Sequence, residues 1–350
     1  MSSQLTGSRA EAAFLAAARA GDRSAFATLT ERYRAELQLH CYRMLGSFQD
    51  AEDLVQETFL RAWSKRATYQ GRATFRAWLY GIATNACLDA LRRRPKRMLP
   101  PDLFAASDPN QAPGPPTDLA WLEPFPDRVM EEAAANEDEP EAKLLARETT
   151  ELAFLAAIQH LPPRQRAVLV LRDVLDWSAK EVAASLETTV ASVNSALQRA
   201  HATLALHLPR RENDGTQTPL TLAVSAAEQS LLEGVIDAWE RGDASALAAL
   251  FREDARLVMP PTPSWYDGRD AIRTFFAARG FGPDSAGRYR VVATGANRQP
   301  ALAVYRRTRD EETCKPFALI LLRAEQGAIA EMTLFRLPEL FAAWDLPATM

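Results

Sequence analysis

Residues 161–204 read LPPRQRAVLVLRDVLDWSAKEVAASLETTVASVNSALQRAHATL. Pro162 and Pro163 suit the first turn of a helix, where a missing N–H costs little. Val168, Leu169, Leu171 and Leu175 then recur at helical spacing. Ser178 predicts a cap for a short helix, with Glu181 three residues on as its capping-box partner. That helix turns Val182, Ala183 and Leu186 inward. Thr188 and Thr189 offer a second cap after a tight turn. A longer helix follows, with Val190, Val193, Leu197, Ala200 and Leu204 along one face. Its other face carries Ser192, Asn194, Ser195, Gln198 and Arg199, where a major groove would receive a recognition helix. The stretch reads as a helix-turn-helix behind a scaffold helix. Taken alone, it also fits a plain helical bundle.

A second segment, Gly46 to Arg94, narrows the choice. Leu54, Val55, Thr58, Phe59 and Trp63 are spaced as one buried helical stripe. The opposite face shows Asp50, Glu52, Asp53, Gln56, Glu57 and Arg61. A polar loop runs from Tyr69 to Thr74, and a helix starts at Phe75. It buries Trp78, Leu79, Ile82, Ala83 and Leu88, and ends in Arg92, Arg93 and Arg94. Basic residues in a last turn cap a helix dipole. Three arginines followed by Pro95, Lys96 and Arg97 exceed that need and predict a phosphate-contacting patch.

Together these segments resemble the sigma-70 family of bacterial transcription initiation factors, in its short extracytoplasmic-function (ECF) group. The patterns DAEDLVQETFLRAW, FRAWLYGIATNACLDALRRR and LPPRQRAVLVLRDV…EVAASL…SVNSALQRA follow the family's order and spacing. The resemblance implies a protein that binds core RNA polymerase and promoter DNA, with no cofactor and no metal. It implies that the helix bearing Asp50, Glu52, Asp53, Gln56, Glu57 and Phe59 docks on the polymerase clamp. An acidic face over an apolar stripe suits that role, because carboxylates repel phosphates. It implies that the following loop and helix hold the melted minus-ten strand. Captured bases and bound phosphates would compensate for lost stacking. Tyr69, Gln70, Arg72, Thr74, Asn85, Arg92, Arg93 and Arg94 have the chemistry for this, as does Phe75. Phe75 and Trp78 also read as core, whereas the loop residues Tyr69 and Arg72 are the stronger strand contacts. For the minus-thirty-five element the readers would be Ser192, Asn194, Ser195, Gln198 and Arg199. Many relatives carry a basic residue where this chain has Asn194, and another at Ala196. Asn and Gln still pair with adenine edges, but fewer cations weaken nonspecific hold, so polymerase must supply much of it.

Composition agrees. The chain has 350 residues and a formal net charge of −4. That is too acidic for a free-standing nucleic-acid coat protein and acceptable for a subunit that reaches DNA on polymerase. No apolar run approaches a membrane span and no signal peptide precedes the first helix, so a cytoplasmic protein is expected. Cys41, Cys87 and Cys314 are scattered and read as buried thiols. His40 beside Cys41 lacks two further ligands for a metal.

Five segments are expected. Residues 10–95 form region 2, in which Phe14, Leu15, Ala18, Phe26, Leu29, Tyr33, Leu37 and Tyr42 complete the core. Residues 96–141 form an acidic, Pro-rich linker, solvated around Glu131, Glu132, Glu137, Asp138, Glu139 and Glu141. Its exception is DLAWLEPFPD, Asp118 to Asp127. Trp121, Leu122 and Phe125 are costly to leave in water and predict an anchor on this protein's own domains or on polymerase. Similar segments occur in sigma factors with an extra C-terminal domain. In the family, this linker threads through polymerase toward the RNA path. Residues 142–208 form region 4, and 209–224 a second linker.

Residues 225–345 change texture. Leu231, Leu232, Val235, Ile236 and Trp239 make a helical face, and GDASALAALF a second helix capped by Asp243. ARLVMP, RYRVVATGA, ALAVYRRTR and FALILLRAEQGAIAEMTLFRL then read as strands of an antiparallel sheet. The order resembles the SnoaL-like branch of the NTF2-like superfamily, an α+β cone. The whole chain is thus multidomain, two all-α domains followed by that cone. The fold often encloses a pocket, and the pocket candidates are Asp254, Trp265, Tyr266, Arg273, Arg298, Tyr305 and Arg336. They supply no spaced His or paired carboxylates that would compel catalysis, so no catalytic residue is assigned. A small-molecule ligand and a pure protein-contact role both remain open. The contact role makes the fused domain a regulator of regions 2 and 4, held at high effective concentration. The rival reading is an NTF2-like ligand sensor or enzyme with a repressor-type DNA-binding domain. The region-2 segment argues against it.

Overall fold

In this computed structural model, residues 13–71, 73–134, 149–208, 226–279, 281–282, 285–308 and 312–350 are described. The chain divides into two compact units, Met1–Lys96 with Val129–Pro209 and Arg97–Arg128 with Arg210–Met350. No described helix is long and apolar enough to cross a membrane.

The first unit joins regions 2 and 4. Helix α1 (Arg23–Glu31) is capped by Asp22, whose carboxylate accepts the Ser24 and Ala25 amides. Helix α2 (Arg34–Leu45) is buried from Glu36 to Leu45 and stops at Gly46, whose φ of 72° suits glycine. Helix α3 (Phe48–Lys65) is capped by Ser47 and buries Leu54, Val55 and Thr58. Helix α4 (Phe75–Leu91) is capped by Thr74 and buries Leu79, Ile82, Ala83 and Leu88. The four-residue α5 (Pro100–Leu103), which belongs to the second unit, and helix α6 (Asp127–Ala134) follow in the chain. Then come α7 (Leu152–Gln159), α8 (Pro163–Leu169) with a π-turn over Val170–Val174, α9 (Ala179–Ser185) and α10 (Val190–His207). The capping box forms as the sequence predicts: Glu181 N donates to Ser178 Oγ at 3.2 Å, and Ser178 N to Glu181 Oε2 at 2.8 Å. Thr189 caps α10. The buried stripe of α10 is Val193, Ala196, Ala200 and Leu204, while Val190 is exposed and Leu197 half-buried. At its centre the stripe lies one residue away from the expected one, on Ala196 in place of Leu197.

His40 sits at the centre of region 2, fully buried. Thr84 donates its one hydroxyl proton to the Tyr80 carbonyl, so His40 Nε2–H is the donor in the 2.9 Å contact to Thr84 Oγ1. Burial, then Arg43 and Arg76, lower the His40 pKa to about 3. The unfolded chain takes up this proton near pH 6.5, the folded chain only near 3. Stability is therefore complete above 6.5 and is lost as pH falls below it, by about 1.4 kcal/mol per pH unit. Urea melts at pH 7, 6 and 5 should show this slope, and His40→Gln should flatten it. Equal slopes in both proteins would refute this assignment.

The second unit is the α+β cone. Helix α11 (Ala226–Arg241) and helix α12 (Ala244–Ala249), the latter capped by Asp243, precede the sheet. The strands are β1 (Phe251–Val258), β2 (Trp265–Asp267), β3 (Tyr289–Ala296), β4 (Gln299–Arg306), β5 (Lys315–Glu325) and β6 (Ala328–Phe335). Helix α13 (Arg269–Ala278) follows β2, and a 3-10 segment, Pro338–Trp344, follows β6. Strand order is β2-β1-β6-β5-β4-β3. One expectation needs correction: the sheet is mixed, since β1 pairs parallel with β6. A long crossover separates these two strands in sequence, which permits parallel pairing. Trp239, Tyr266, Phe275, Phe276, Phe281 and Tyr289 fill the cone with tilted and edge-on rings.

The expected linker, residues 96–141, is shared between the two units. Residues 97–128 are a strap belonging to the cone unit. Trp121, Leu122 and Phe125 are all buried. Phe125 N donates to Asn297 Oδ1 and Asn297 N to the Phe125 carbonyl, both at 2.9 Å. Arg298 N donates to Asp127 Oδ1 at 2.7 Å. Asn297 and Arg298 form the β3–β4 turn with φ of 56° and 57°, a conformation costly outside glycine, and the strap bonds offset that cost. Further along, Ser107 N donates to the Trp265 carbonyl, Trp265 Nε1 to the Phe104 carbonyl, and Thr117 N to the Pro261 carbonyl. The anchor therefore lies on this protein's own cone. Glu131 and Glu132 fall in α6 and are exposed. Glu137, Asp138, Glu139, Glu141 and the linker 209–224 lie outside the described residues.

Candidate nucleic-acid interface

Helix α10 presents Ser192, Asn194, Ser195, Gln198 and Arg199 on one exposed face. Ser192 is partly engaged: its amide donates to Thr189 Oγ1, whose hydroxyl donates to Ser192 Oγ. Asn194, Ser195, Gln198 and Arg199 are exposed. On the same helix, His201 Nε2 lies 2.6 Å from Asp173 on the π-turn, tying α10 to the segment after α8.

Helix α3 keeps Glu52, Asp53 and Gln56 exposed. Glu57 pairs with Arg61 at 2.8 Å, and Arg61 reaches Asp89 of α4 at 3.1 Å. Phe59 is half-buried beneath the Arg34 guanidinium, 5.2 Å from its ring centre. Asp50 is an exception. It lies half-buried in the first turn of α3 and is paired with Arg94. A carboxylate there is favoured by the helix dipole, so this pair, split in the sequence between polymerase and DNA roles, ties α3 to the end of α4. Sequence reasoning missed Leu60, which is 65% exposed beside these carboxylates.

The loop candidates also need correction. Tyr69 is 7% exposed. Its hydroxyl donates to the Ala73 carbonyl at 2.7 Å, and its ring packs on Phe75 and Trp78. It is thus a support for the loop and offers no open ring face. Trp78, read from the sequence as core, is half-buried in the same cluster. Aromatic residues three positions apart on α4 reach back over the loop, which sequence spacing alone did not reveal. Thr74 Oγ1 is occupied as the α4 cap, accepting the Ala77 amide. Gln70, Asn85, Arg92 and Arg93 are exposed, with Arg92 sharing Asp89 at 2.9 Å. Arg72 lies outside the described residues.

Regions 2 and 4 are joined by Arg166, which is 1% exposed. Its NH1 donates to the Met44 carbonyl at the end of α2 and to Gln159 Oε1, and its NH2 to the Gln159 and Leu161 carbonyls. One cation thus caps two helix C-termini, where carbonyls lack helical partners. Burial pulls its pKa down to about 10, leaving it charged at neutral pH. Arg43 also donates to Thr149, Tyr80 meets Trp177 edge-on at 6.3 Å, and a Cβ on Gly81 would lie 3.2 Å from Ser185 Oγ. The candidate minus-ten helix α4 therefore packs on α9 of the helix-turn-helix.

Residues 29–97 match the family Sigma-70 region 2, residues 151–204 match Sigma-70 region 4, and residues 232–332 match the SnoaL-like domain. The chain is 41% identical over 329 residues to the ECF RNA polymerase sigma factor SigG of Mycobacterium tuberculosis, covering 94% of this chain and 85% of SigG. The chain belongs to the ECF sigma factors. The ECF RNA polymerase sigma factor SigW of Bacillus subtilis is 28% identical over 188 residues, 54% of this chain and 91% of SigW. The crystal structure of M. tuberculosis SigJ shares the fold at a TM-score of 0.55 and 19% identity, covering 90% of this chain and 97% of SigJ.

In this sigma factor the seven pocket candidates do not converge. Asp254 is exposed and held by Arg252 at 2.9 Å. Arg273 is exposed beside Asp270. Trp265 faces the strap, Arg298 forms the β3–β4 turn, and Tyr305 donates to the Pro347 carbonyl at 2.9 Å with its ring on Phe341. The Arg336 guanidinium lies 5.3 Å from the Phe317 ring centre. Only Tyr266 reaches the core of the cone. Asp254, Trp265 and Tyr305 lie on strands, Arg273 on α13, Arg298 in a turn and Arg336 just after β6, and composition alone did not fix which way each faces. Among the described residues, no cluster of His, Cys, Asp and Glu could hold a metal.

Proposed function

We propose that this sigma factor binds core RNA polymerase through the exposed face of α3, in the cytoplasm, and directs promoter recognition and melting through α4 and α10. The observation that carries the polymerase contact is Leu60, exposed among Glu52, Asp53 and Gln56. An apolar side chain among carboxylates suits a protein partner and is repelled from DNA. Gln70, Asn85, Arg92 and Arg93 take the minus-ten strand, and Asn194, Ser195, Gln198 and Arg199 the minus-thirty-five element.

Two consequences follow from the packing. The promoter elements lie roughly 25 base pairs apart, about 85 Å at 3.4 Å per step. A unit of this size has a radius of gyration of about 16 Å. Regions 2 and 4 must therefore separate before both elements are held. The strap must likewise leave the cone if it is to run through polymerase. The fused domain regulates by holding that linker. Its ring-filled interior and outward-facing acids support a contact role over a catalytic one.

Leu60→Asp should abolish co-elution with core polymerase while leaving the far-ultraviolet spectrum unchanged. Unchanged co-elution would refute the assignment of α3. Asn194→Ala with Gln198→Ala should cut promoter-directed transcripts at least tenfold, since a bidentate base contact is worth about 1–3 kcal/mol. Run-off yields on one template check this.

A further inference from the structure

Strand β5 lies between β4 and β6. Near its start is Phe317. The last residue of β4, Arg306, places its guanidinium 4.2 Å from the Phe317 ring centre. Arg336, directly after β6, places its own 5.3 Å from the same centre. Each neighbouring strand thus contributes one cation to one ring. Other arginines of this unit hold carboxylates: Arg241 with Asp237, Arg252 with Asp254 and Glu325, and Arg323 with Glu331. Among the described residues, neither Arg306 nor Arg336 forms an ion pair or a side-chain hydrogen bond.

A ring face attracts a cation, yet it cannot neutralise two. The two guanidiniums feel each other: burial first, and Arg306 second, lower the Arg336 pKa. Tyr289, buried, has its ring centre 6.4 Å from that of Phe317 and adds apolar surface to the cluster. Two unneutralised forks of donors over an apolar floor match an oxyanion, which guanidinium binds bidentately. We propose that Arg306, Arg336 and Phe317 form a binding site for a phosphate or carboxylate group on a small molecule, giving the fused domain a ligand input of its own. The site lies at the strand ends and is separate from the seven scattered pocket positions except for Arg336.

The test uses the full chain and scanning calorimetry, with inorganic phosphate or benzoate exchanged against chloride at constant ionic strength. At least one of the two anions should raise the wild-type melting temperature by a few degrees, as a ligand of the folded state must. Arg306→Gln and Arg336→Gln should each lose that rise. Arg290→Gln, an exposed arginine on β3, should keep it. In chloride alone, Arg336→Gln should melt at or above wild type, because it removes a repulsion. No rise with either anion, a rise that persists in both variants, or a lower melt of Arg336→Gln in chloride would overturn the proposal. Duplex DNA binding that weakens in both variants, without any response to free anions, would reassign the site to phosphodiester backbone and also overturn it.

Discussion

Replacing Arg166 with methionine is expected to lower the melting temperature of the region-2 and region-4 unit by roughly 6–12 °C. The substitution keeps most of the volume and removes four hydrogen bonds. It leaves the end carbonyls of α2 and α7 buried without their donor. A buried acceptor left without its donor costs about 1–3 kcal/mol, so the two helix ends together lose about 3 kcal/mol, and 1 kcal/mol shifts a unit of this size by about 2–4 °C. Arg166→Lys should recover only part of the loss, because an ammonium group lacks the planar fork that reaches both helix ends. Scanning calorimetry on the full chain measures both. A drop of under about 2 °C for the methionine variant would mean that Met44 and Gln159 are satisfied without Arg166, and the joint between the regions would lie elsewhere.

Phe125→Ala should release the strap from the cone. Phe125 is fully buried, and truncating such a ring costs about 3–5 kcal/mol. Its backbone also makes both bonds to Asn297, so the loss spreads to the β3–β4 turn. Gly295→Ala should have the same consequence by a different route. A Cβ there would lie 2.4 Å from Asp127 Oδ2, too close for any real contact. In the intact strap, Arg97 is held by Glu123 and the Trp121 carbonyl, and Arg128 by the Ala343 carbonyl. Trypsin should therefore cut at Arg97 and Arg128 at least tenfold faster in either variant. Unchanged cleavage in both would show that the strap does not depend on this contact.

Much of this was legible in the sequence because local chemistry carried it. The Ser178–Glu181 box and the Thr189 cap each depend on residues a few positions apart. Burial of Trp121, Leu122 and Phe125 followed from hydrophobicity alone, since three large apolar groups within five residues need cover. Long-range facts were not legible. Nothing near Arg166 marks it as the group reaching Met44, 122 positions away in the chain. Tyr69 looked like an exposed strand platform because its loop is polar, yet Phe75 and Trp78 of the next helix enclose it. The parallel pairing of β1 with β6 likewise depends on the whole sheet order. The β-favouring composition located the strands of the cone without telling its inner from its outer face, and so the pocket candidates scattered.

The central claim is that this chain directs core RNA polymerase to promoters. The most direct measurement mixes the purified chain with sigma-free core polymerase and a library of promoter fragments, and sequences the transcripts. The account predicts discrete start sites that share two upstream elements and that vanish with the Leu60→Asp variant. Transcripts no more specific than those of core polymerase alone, with tight DNA binding by the chain by itself, would contradict it and point to a repressor-type DNA-binding protein.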